Sequence, residues 1–494
     1  MCKRGFLRFN LWAYVIMILV TLGGSIWVSN SALTTASIHV LMISFILLSG
    51  FWLFGRKTDL KYDEEDILTF IIFVGCTMRI GYTLYNGVFS RVHDTWYYDD
   101  YTANSKSTYL MWILERGKLP DSYEGQLYHQ PFSYIVSALC CKLIQPFVTN
   151  NDIYYLGGIG GKLSSCMASC AVLFMIPRLG LEVSMKKRNI LFFTWLVAVF
   201  PGFFLIAGRI GEDAFSCFFA MAEILYTIKW HKEPYIKNTV LLALFYGLGL
   251  QTNLSCVLPA FFTVYVVLEK MLRNRCEFMR YIKETVLFCV ISVPLGLWFY
   301  IRNYIKFGIP FTYVNEQIIG GVLWTGNVPL WKRYWPLDIK NFVESPYAFP
   351  YDDYNLPAYF LKSELFGEYT FEISNIVPYV MLIINILITI FAIVCMIKIL
   401  FRKNAPTIGK LLSGLLILYC LFEMFSYYKE PFGCTMDARY FLIITILKLM
   451  FFAWSIKEKE IEKVSPITIF MTKGIYIGVL LFGACSIAMF CVIE

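Results

Sequence analysis

Apolar runs of about 20 residues recur along this chain from one end to the other, and a run of that length can cross the hydrocarbon core of a bilayer as an α-helix. Only 16% of the 494 residues are charged and 58% are hydrophobic, whereas soluble domains carry about 25% charged residues. The sequence therefore predicts an all-α polytopic membrane protein with about 13 transmembrane helices. The predicted spans cover residues 11–29, 37–54, 67–85, 154–177, 189–207, 214–230, 238–253, 254–270, 284–301, 375–398, 411–427, 440–456 and 467–492.

The net charge of +8 does not indicate a nucleic-acid partner, because the basic residues fall between the apolar runs rather than in one patch. The first run follows Lys3, Arg4 and Arg8, as in a signal sequence, but no small-residue cleavage site follows it. We therefore expect an uncleaved anchor. The 15 cysteines lie mostly inside apolar runs and form no CxxC pair with metal spacing, so we expect neither a disulfide framework nor a structural zinc.

The basic residues between the runs predict the orientation of the chain. If the N-terminus is cytoplasmic, every short basic loop also falls on the cytoplasmic side, as the positive-inside rule requires. The apolar segment 132–148 would reverse this pattern for all later loops if it crossed the membrane. We therefore expect this segment to form a juxtamembrane or re-entrant helix, which makes residues 86–153 one long outer loop.

Three further segments fall on the outer side, namely residues 208–213, 302–374 and 428–439. The central loop, 302–374, is rich in proline, tryptophan and tyrosine, a composition that indicates ordered structure at the membrane interface rather than disorder. No separate soluble domain and no clear repeat is present, so residues 1–494 are predicted to form a single transmembrane domain.

The ionisable residues suggest where chemistry takes place. Transporters place such residues near the bilayer midplane, but here only Arg79, Glu223 and Glu423 stand out within the predicted spans. The other polar groups gather at the predicted outer ends. This favours an enzyme that acts at the interface on a substrate anchored in lipid.

Asp94 is the candidate catalytic residue, in the acidic and aromatic stretch that begins at Arg91. A carboxylate that is partly desolvated by Trp96 and its tyrosine neighbours can act as a general base. The alternative is a solvated loop acid. Asp99 and Asp100 are better explained as the first turn of the next helix, where acids are favoured by the helix dipole.

His129 is a candidate phosphate donor or metal ligand in the sequence Tyr128-His129-Gln130-Pro131. Alternatively, it caps the helix whose first turn contains Pro131. Asp213, next to Glu212, is a candidate to orient a sugar or to hold a metal with Asp94. Otherwise, Asp213 caps the helix that follows and pairs with Arg209.

Four basic residues lie at the predicted outer ends of spans, where the phosphate of an anionic lipid would lie. Arginine suits bidentate contacts to phosphate, but such residues also extend to ordinary lipid headgroups, and both interpretations stay open. The four residues are Arg302, Lys306, Lys429 and Arg439.

Taken together, these pieces resemble the GT-C glycosyltransferases, especially the branch of the protein O-mannosyltransferases and aminoarabinose transferases (family 39-type). The resemblance runs from about residue 90 to residue 445 and depends on the order of several short motifs. These are His93-Asp94; Tyr128-His129-Gln130-Pro131-Phe132-Ser133-Tyr134; Pro201-Gly202 before Glu212-Asp213-Ala214; Trp298-Phe299-Tyr300-Ile301-Arg302-Asn303-Tyr304 with Phe307-Gly308-Ile309-Pro310; Lys362-Ser363 with Phe366-Gly367-Glu368; and Ala438-Arg439-Tyr440.

The chain departs from the family pattern at two positions of these motifs and in one feature of its topology. Thr95 follows Asp94 where the family has an Asp-Glu pair, and Gln130 stands where the family has a first proline. Two predicted spans, rather than one, precede the span that leads into the first outer loop.

The resemblance implies a GT-C fold and transfer of a sugar from a polyprenyl-phosphate donor to a protein, glycolipid or wall-glycan acceptor. Asp94 is expected to take the acceptor proton, with inversion at the anomeric carbon. Arg302, Arg439 and His129 are expected to stabilise the leaving phosphate, with His93, Tyr128 and Glu212 as further substrate-binding candidates. Asp213 would orient the sugar or acceptor, or share Mg²⁺ or Mn²⁺ with Asp94.

Two other functions compete with this interpretation. A flippase or transporter of polyprenyl-linked glycans predicts charged groups along a path through the bundle, and an O-antigen-type polymerase predicts a large catalytic loop late in the chain. For the transferase we expect a bacterial plasma membrane, with the active face outside and the N-terminus in the cytoplasm. An endoplasmic-reticulum enzyme with a luminal active face would have almost the same sequence features.

Overall fold

The computed structural model describes residues 10–31, 35–54, 63–88, 90–91, 104–150, 152–315, 317–456 and 466–492. These residues form α-helices joined by short 3-10 turns, and no strand is assigned among them. The helices are α1 (Asn10–Ser29), α2 (Thr35–Phe54), α3 (Glu64–Tyr85), α4 (Lys106–Arg116), α5 (Phe132–Ile144), α6 (Ile153–Glu182), α7 (Lys187–Val199), α8 (Pro201–Ala207), α9 (Asp213–Lys232), α10 (Ile236–Leu250), α11 (Leu258–Arg273), α12 (Phe278–Phe307), α13 (Leu330–Tyr334), α14 (Ile339–Glu344), α15 (Leu356–Phe366), α16 (Ile376–Phe401), α17 (Thr407–Lys429), α18 (Leu442–Ser455) and α19 (Pro466–Val492).

Eight helices within the described residues are long and apolar enough to cross a membrane, or nine if α7 and α8 form one bent span. The protein is accordingly an integral membrane protein, but the predicted number of about 13 spans is not confirmed. Length explains part of the difference, because α10 has 15 residues and α18 has 14. The predicted span 189–207 is broken at Phe200, where α7 and α8 meet at 50°.

The predicted helix at 132–148 is present as α5, followed by a 3-10 turn at Gln145–Phe147. It begins directly after Pro131, as expected from the sequence. A second short helix, α4, begins at Lys106 after Ser105, whose side chain accepts a hydrogen bond from the amide of Thr108. Asp99 and Asp100, expected at the start of this helix, lie outside the described residues.

By its internal contacts the chain divides into two compact units. Unit 1 comprises residues 1–40, 79–178 and 206–316, and unit 2 comprises residues 41–78, 179–205 and 317–494. In unit 1, α10 packs between α9 and α12, and α4 packs on α5. Helix α5 lies close to α6 at Gly160, where an added Cβ would stand 2.5 Å from the carbonyl oxygen of Ser137. This close approach fixes α5 and positions the residues just before it.

Unit 2 is built around α18, which packs against α7, α16 and α17. Helix α19 adds to the same core, with the indole nitrogen of Trp195 donating to the carbonyl of Val479 at 3.4 Å. The described part of the predicted central loop is ordered, as its composition indicated, and contains α13, α14 and α15. A single bridge pairs Trp324 with Phe432.

Candidate active site

The turn between α8 and α9 presents two adjacent carboxylates, Glu212 and Asp213. Both are buried, with 2% and 6% of their surface exposed. Helix α9 begins at Asp213, so both acids lie at a helix N-terminus, where the helix dipole favours negative charge. Gly211 holds the turn at φ +144°, and an added Cβ there would lie 2.7 Å from the Lys106 amine.

Three side chains from other segments of unit 1 converge on Glu212. The amine of Lys106 lies 3.5 Å from Glu212 Oε2, and the hydroxyl of Tyr134 donates to the same oxygen at 3.2 Å. His129 Nδ1 lies 3.5 Å from Glu212 Oε1. We call Lys106, His129, Tyr134 and Glu212 the Glu212 cluster. Because the cluster is buried, these charge contacts are weakly screened by water.

Both ring nitrogens of His129 face oxygen atoms. Nε2 lies 2.8 Å from Gln126 Oε1, and Nδ1 faces the carboxylate of Glu212. The neutral imidazole can donate to one of these oxygens, and the imidazolium would donate to both. The described structure assigns no side-chain cap to α5, so the alternative role of His129 as a helix cap is not observed.

Tyr134 of this cluster stacks on a second buried tyrosine, Tyr109. The rings of Tyr109 and Tyr134 stack with centroids 4.1 Å apart. Burial raises the pKa of Tyr109, against the opposing effect of the nearby Arg302 charge, while Glu212 raises it further. Burial and the Glu212 charge also raise the pKa of Tyr134. Both phenols therefore stay protonated at neutral pH and can serve as hydrogen-bond donors.

Arg302, near the C-terminal end of α12, holds the segment that precedes His129. Its guanidinium donates to the carbonyl of Pro120 at 2.6 Å and to Asn303 Oδ1 at 2.8 Å. Asn303 in turn donates to the backbone carbonyl of Tyr128 at 3.4 Å, and the Tyr128 ring stacks on His129. The predicted residues Tyr128, His129, Glu212 and Arg302 are thus brought into one region of unit 1.

Asp213 does not form the pair with Arg209 that the sequence left open. Its side chain makes no hydrogen bond or ion pair to any other residue within the described ranges, although its backbone carbonyl accepts from Ser216 at 2.9 Å. The N-terminus of α9 has no side-chain cap, so the alternative role of Asp213 as a helix cap is not observed in the described residues either. Asp94 and His93, the predicted centre of the site, lie outside the described residues.

Arg439 belongs to unit 2, in a 3-10 turn just before α18. Its guanidinium lies 3.3 Å from Asp437 Oδ2, and it donates to the hydroxyl of Tyr440 at 2.8 Å. Only 11% of its side chain is exposed. The nearby carboxylate compensates part of its charge. In this structure Arg439 is paired inside unit 2 and is not an exposed side chain at the surface.

The Lys362-Ser363 motif is also buried in unit 2. Lys362 lies 3.5 Å from Asp353 and donates to the carbonyl of Asn341 at 3.2 Å. Burial raises the pKa of Asp353 and lowers that of Lys362, and the opposite charge of each partner acts against both shifts. The hydroxyl of Ser363 accepts from the amide of Ala438 at 3.1 Å, which connects this motif to the Ala-Arg-Tyr motif.

Three buried lysines were missed by the sequence reasoning. Lys106 lies on a short helix without a recognisable motif, and its partner Glu212 is remote in sequence. Lys162 and Lys448 lie inside α6 and α18. The charged residues within the predicted spans are therefore more numerous than Arg79, Glu223 and Glu423. Lys448 pairs with Glu364, and its amine donates to Asn385 Oδ1 at 2.9 Å.

The described residues do not assemble a metal centre. No group of three or more histidine, cysteine, aspartate or glutamate side chains within them could hold an ion. Of the two predicted ligands, only Asp213 is described. A divalent ion would therefore need Asp94 or other ligands from outside the described ranges, and the mechanism proposed for this chain does not depend on one.

No family model matches the chain, and no curated protein matches it in sequence. Among solved structures, it is similar to the apo oligosaccharyltransferase of Archaeoglobus fulgidus, with TM-score 0.49 and 10% identity over 86% of this chain and 56% of that chain. It is also similar to AglB of the same organism in complex with an inhibitory peptide and a dolichol-phosphate (TM-score 0.48, 10% identity, 87% and 56% coverage). A third similarity is to apo ArnT from Cupriavidus metallidurans (TM-score 0.32, 14% identity, 91% and 77% coverage).

The chain spans 56% of the length of the two oligosaccharyltransferase chains. All three TM-scores lie below 0.5.

Proposed function

We propose that this protein is a membrane glycosyltransferase that moves a sugar from a polyprenyl-phosphate donor to an acceptor hydroxyl at the outer face of the membrane. One observation carries the proposal. Two short motifs chosen for their resemblance to the GT-C family, Tyr128-His129-Gln130-Pro131 and Glu212-Asp213-Ala214, meet in the Glu212 cluster, with His129 3.5 Å from Glu212. A buried cluster of a carboxylate, a lysine and a histidine, assembled from remote segments, is an arrangement found at functional sites, and it supports this proposal.

In the proposed reaction, the acceptor O–H bond breaks and its proton passes to the Asp94 carboxylate. The acceptor oxygen bonds to the anomeric carbon, and the bond from that carbon to the donor phosphate breaks with inversion. The electron pair of this bond stays on the leaving phosphate. Proton removal by a positioned carboxylate contributes about 10²- to 10⁴-fold to such a step.

The leaving phosphate needs nearby positive charge. His129 would supply such charge as the imidazolium, and Arg302 retains guanidinium N–H groups beyond its bonds to Pro120 and Asn303. Both residues belong to unit 1 and support the proposed roles in phosphate stabilisation. Arg439 in unit 2 is kept as a proposed phosphate contact, weakened by its pairing with Asp437. His93 and Tyr128 are proposed to contact the donor beside these groups.

The test uses the full-length protein in detergent with a labelled polyprenyl-phosphate hexose, and it follows release of free polyprenyl phosphate. We expect Asp94→Asn to slow release by about a hundredfold or more, while the matched variant Asp99→Asn releases product at the wild-type rate. Normal turnover of Asp94→Asn would remove Asp94 as the base. The same assay in chelator, with Mg²⁺ or Mn²⁺ added back, tests the proposed ion between Asp94 and Asp213.

One observation favours the flippase as a second candidate. Buried charged residues within the helices are more numerous than the sequence indicated and include Lys162, Glu223 and Lys448, and charged groups inside a bundle are typical of transport paths. The flippase predicts that the intact donor crosses the bilayer of a reconstituted vesicle without release of polyprenyl phosphate. Absence of release across several donor sugars, together with such transport, would replace the transferase by the flippase.

A further inference from the structure

A polar cavity of about 190 Å³ lies in unit 1. Its wall is formed where α1 and α3 end and where α2 and α6 begin, so it opens at one common end of these four helices. None of the residues that line it belongs to the Glu212 cluster.

Lys162 brings an amine into this cavity. It is only 3% exposed, and its amine donates to the backbone carbonyls of Asn86 and Gly87, just after α3. An ammonium group has three N–H donors, so one remains beyond these two bonds. No aspartate or glutamate is among the described residues that line the cavity. Carbonyl dipoles alone compensate a buried charge poorly.

Two serine hydroxyls add neutral donors to the same wall. Ser25 and Ser29 are four residues apart on α1 and therefore share one face of the helix. Within the described part of the chain, neither hydroxyl has a hydrogen-bond partner. A cavity that offers an ammonium group and two free hydroxyls, but no acid, has the donor set of an anion receptor.

The remainder of the lining indicates an amphipathic occupant. Val28, Ile38 and Ile159 give the cavity an apolar side. The helices that form it carry exposed large apolar residues, such as Trp27 at 54% and Val40 at 62%, which suit contact with lipid chains. Because the cavity lies at helix ends, an occupant would place its polar group at headgroup depth and its chain along the helices.

We propose that this cavity is a binding site for a phosphate group, carried by a membrane lipid, that pairs with Lys162 and accepts hydrogen bonds from Ser25 and Ser29. The site does not depend on the proposed glycosyltransferase function, since it shares no residue with the Glu212 cluster. A free phosphate ion has the same recognising chemistry, and the experiment separates the two sources.

The experiment measures binding to the purified full-length protein in an uncharged detergent. The probes are dioctanoyl phosphatidic acid, dioctanoylglycerol, which has the same chains without phosphate, and inorganic phosphate. We expect the phosphatidic acid to bind and dioctanoylglycerol not to bind. Lys162→Met should weaken the phosphatidic acid at least about tenfold, as expected for loss of a charge-assisted contact. Lys142→Met, which removes an exposed lysine on α5, is the matched control and should bind as wild type.

Lys162→Met could also fail to fold, because Lys162 donates to the backbone carbonyls that follow α3. Two further variants keep the test decisive in that case. Ser29→Asp places a carboxylate beside the retained lysine and should exclude the phosphatidic acid, while Ser25→Ala with Ser29→Ala should weaken it. Equal, Lys162-dependent binding of inorganic phosphate would assign the site to the free ion. Absence of phosphate binding of either kind, or binding unchanged in both Lys162→Met and Ser29→Asp, would overturn the proposal and leave Lys162 as a cap for α3.

Discussion

At the scale of single residues, Glu212 is the group on which the described part of the site depends. It supplies the negative charge for Lys106 and His129 and accepts the Tyr134 hydroxyl. Removing one member of a buried ion pair leaves the other uncompensated, at a typical cost of about 3–5 kcal/mol. Glu212 therefore holds the cluster together as well as setting its charge.

Glu212→Ala should destabilise the protein strongly because it strands the Lys106 ammonium in a buried site. Glu212→Gln keeps the hydrogen bond from Tyr134 and should have a smaller effect, and Glu212→Ala with Lys106→Met should recover part of the loss. Thermal unfolding in detergent, followed by intrinsic fluorescence, measures all three. Glu124→Ala, at an exposed carboxylate of the same unit, is the control and should shift Tm little. Equal Tm values for Glu212→Ala and Glu124→Ala would contradict the role of Glu212.

Sequence reasoning found part of this site and missed part of it. Tyr128, His129, Glu212 and Arg302 were chosen because they lie in motifs, and the structure places them in one region of unit 1. Lys106 could not be found in this way, since its role depends on a partner brought close only by folding. Lys162 was missed because a single lysine interrupts an apolar run without ending it.

At the scale of elements, the end of α12 and the segment between α4 and α5 are held by a set of polar contacts. Asp121 bridges Lys118 and Lys306, at 2.6 Å for Lys118. Arg302 binds the preceding carbonyl of Pro120. The hydrogen bonds that Asp121 accepts from Lys118 and Lys306 hold its pKa at about 2. The contacts lie at the start of the segment that carries His129 and so fix its approach to α5.

Asp121→Asn should loosen residues 118–128 without lowering global stability much, because the ion pairs are exposed. The measurement is hydrogen exchange of this segment. A carboxyl with a depressed pKa contributes stability that is present above its unfolded pKa and is lost as the pH falls through the folded value. In the wild type, protection should therefore stay constant from about pH 7 to about pH 4 and decline only toward pH 2. Exchange in Asp121→Asn equal to that in the control Glu124→Gln would refute the contact's role.

Most helix positions could be predicted from apolar runs, and their ends less well. The predicted span 154–177 corresponds to α6 at Ile153–Glu182, and the uncertain break at residues 251–253 is present between α10 and α11. The break at Phe200 was not predicted, since hydropathy averages over a run and does not register a bend. The predicted number of about 13 spans is not confirmed, because several apolar helices of the described residues, such as α10 and α18, are shorter than a typical membrane span.

At the scale of the whole molecule, the exposed side chains are those expected of a protein embedded in a bilayer. Large apolar side chains are exposed on several helices, including Trp12 at 74%, Phe51 at 76% and Phe401 at 83%. In water such surfaces would favour aggregation, whereas lipid chains cover them. The orientation of the chain in the membrane stays a prediction from its basic loops.

That orientation predicts opposite accessibility for two exposed positions. Asn150, in the predicted first outer loop, should react as Asn150→Cys with a membrane-impermeant maleimide applied to intact cells. The native Cys276, exposed between α11 and α12, lies in a predicted cytoplasmic loop and should react only after permeabilisation. The variant Cys276→Ser gives the background from the other thiols. Labelling of Cys276 in intact cells, with Asn150→Cys protected, would invert the proposed topology.

Gly211 has a consequence for how variation in this protein is interpreted. It has no side chain that could take part in chemistry, yet its φ of +144° strains any other residue, and an added Cβ at 2.7 Å would displace the Lys106 amine from its place beside Glu212. A saturation mutagenesis scan would therefore find Gly211 to be as intolerant of substitution as the charged residues around it. In a mutational scan interpreted without a structure, the intolerance of Gly211 would therefore point to the same site as that of its neighbours Glu212 and Asp213.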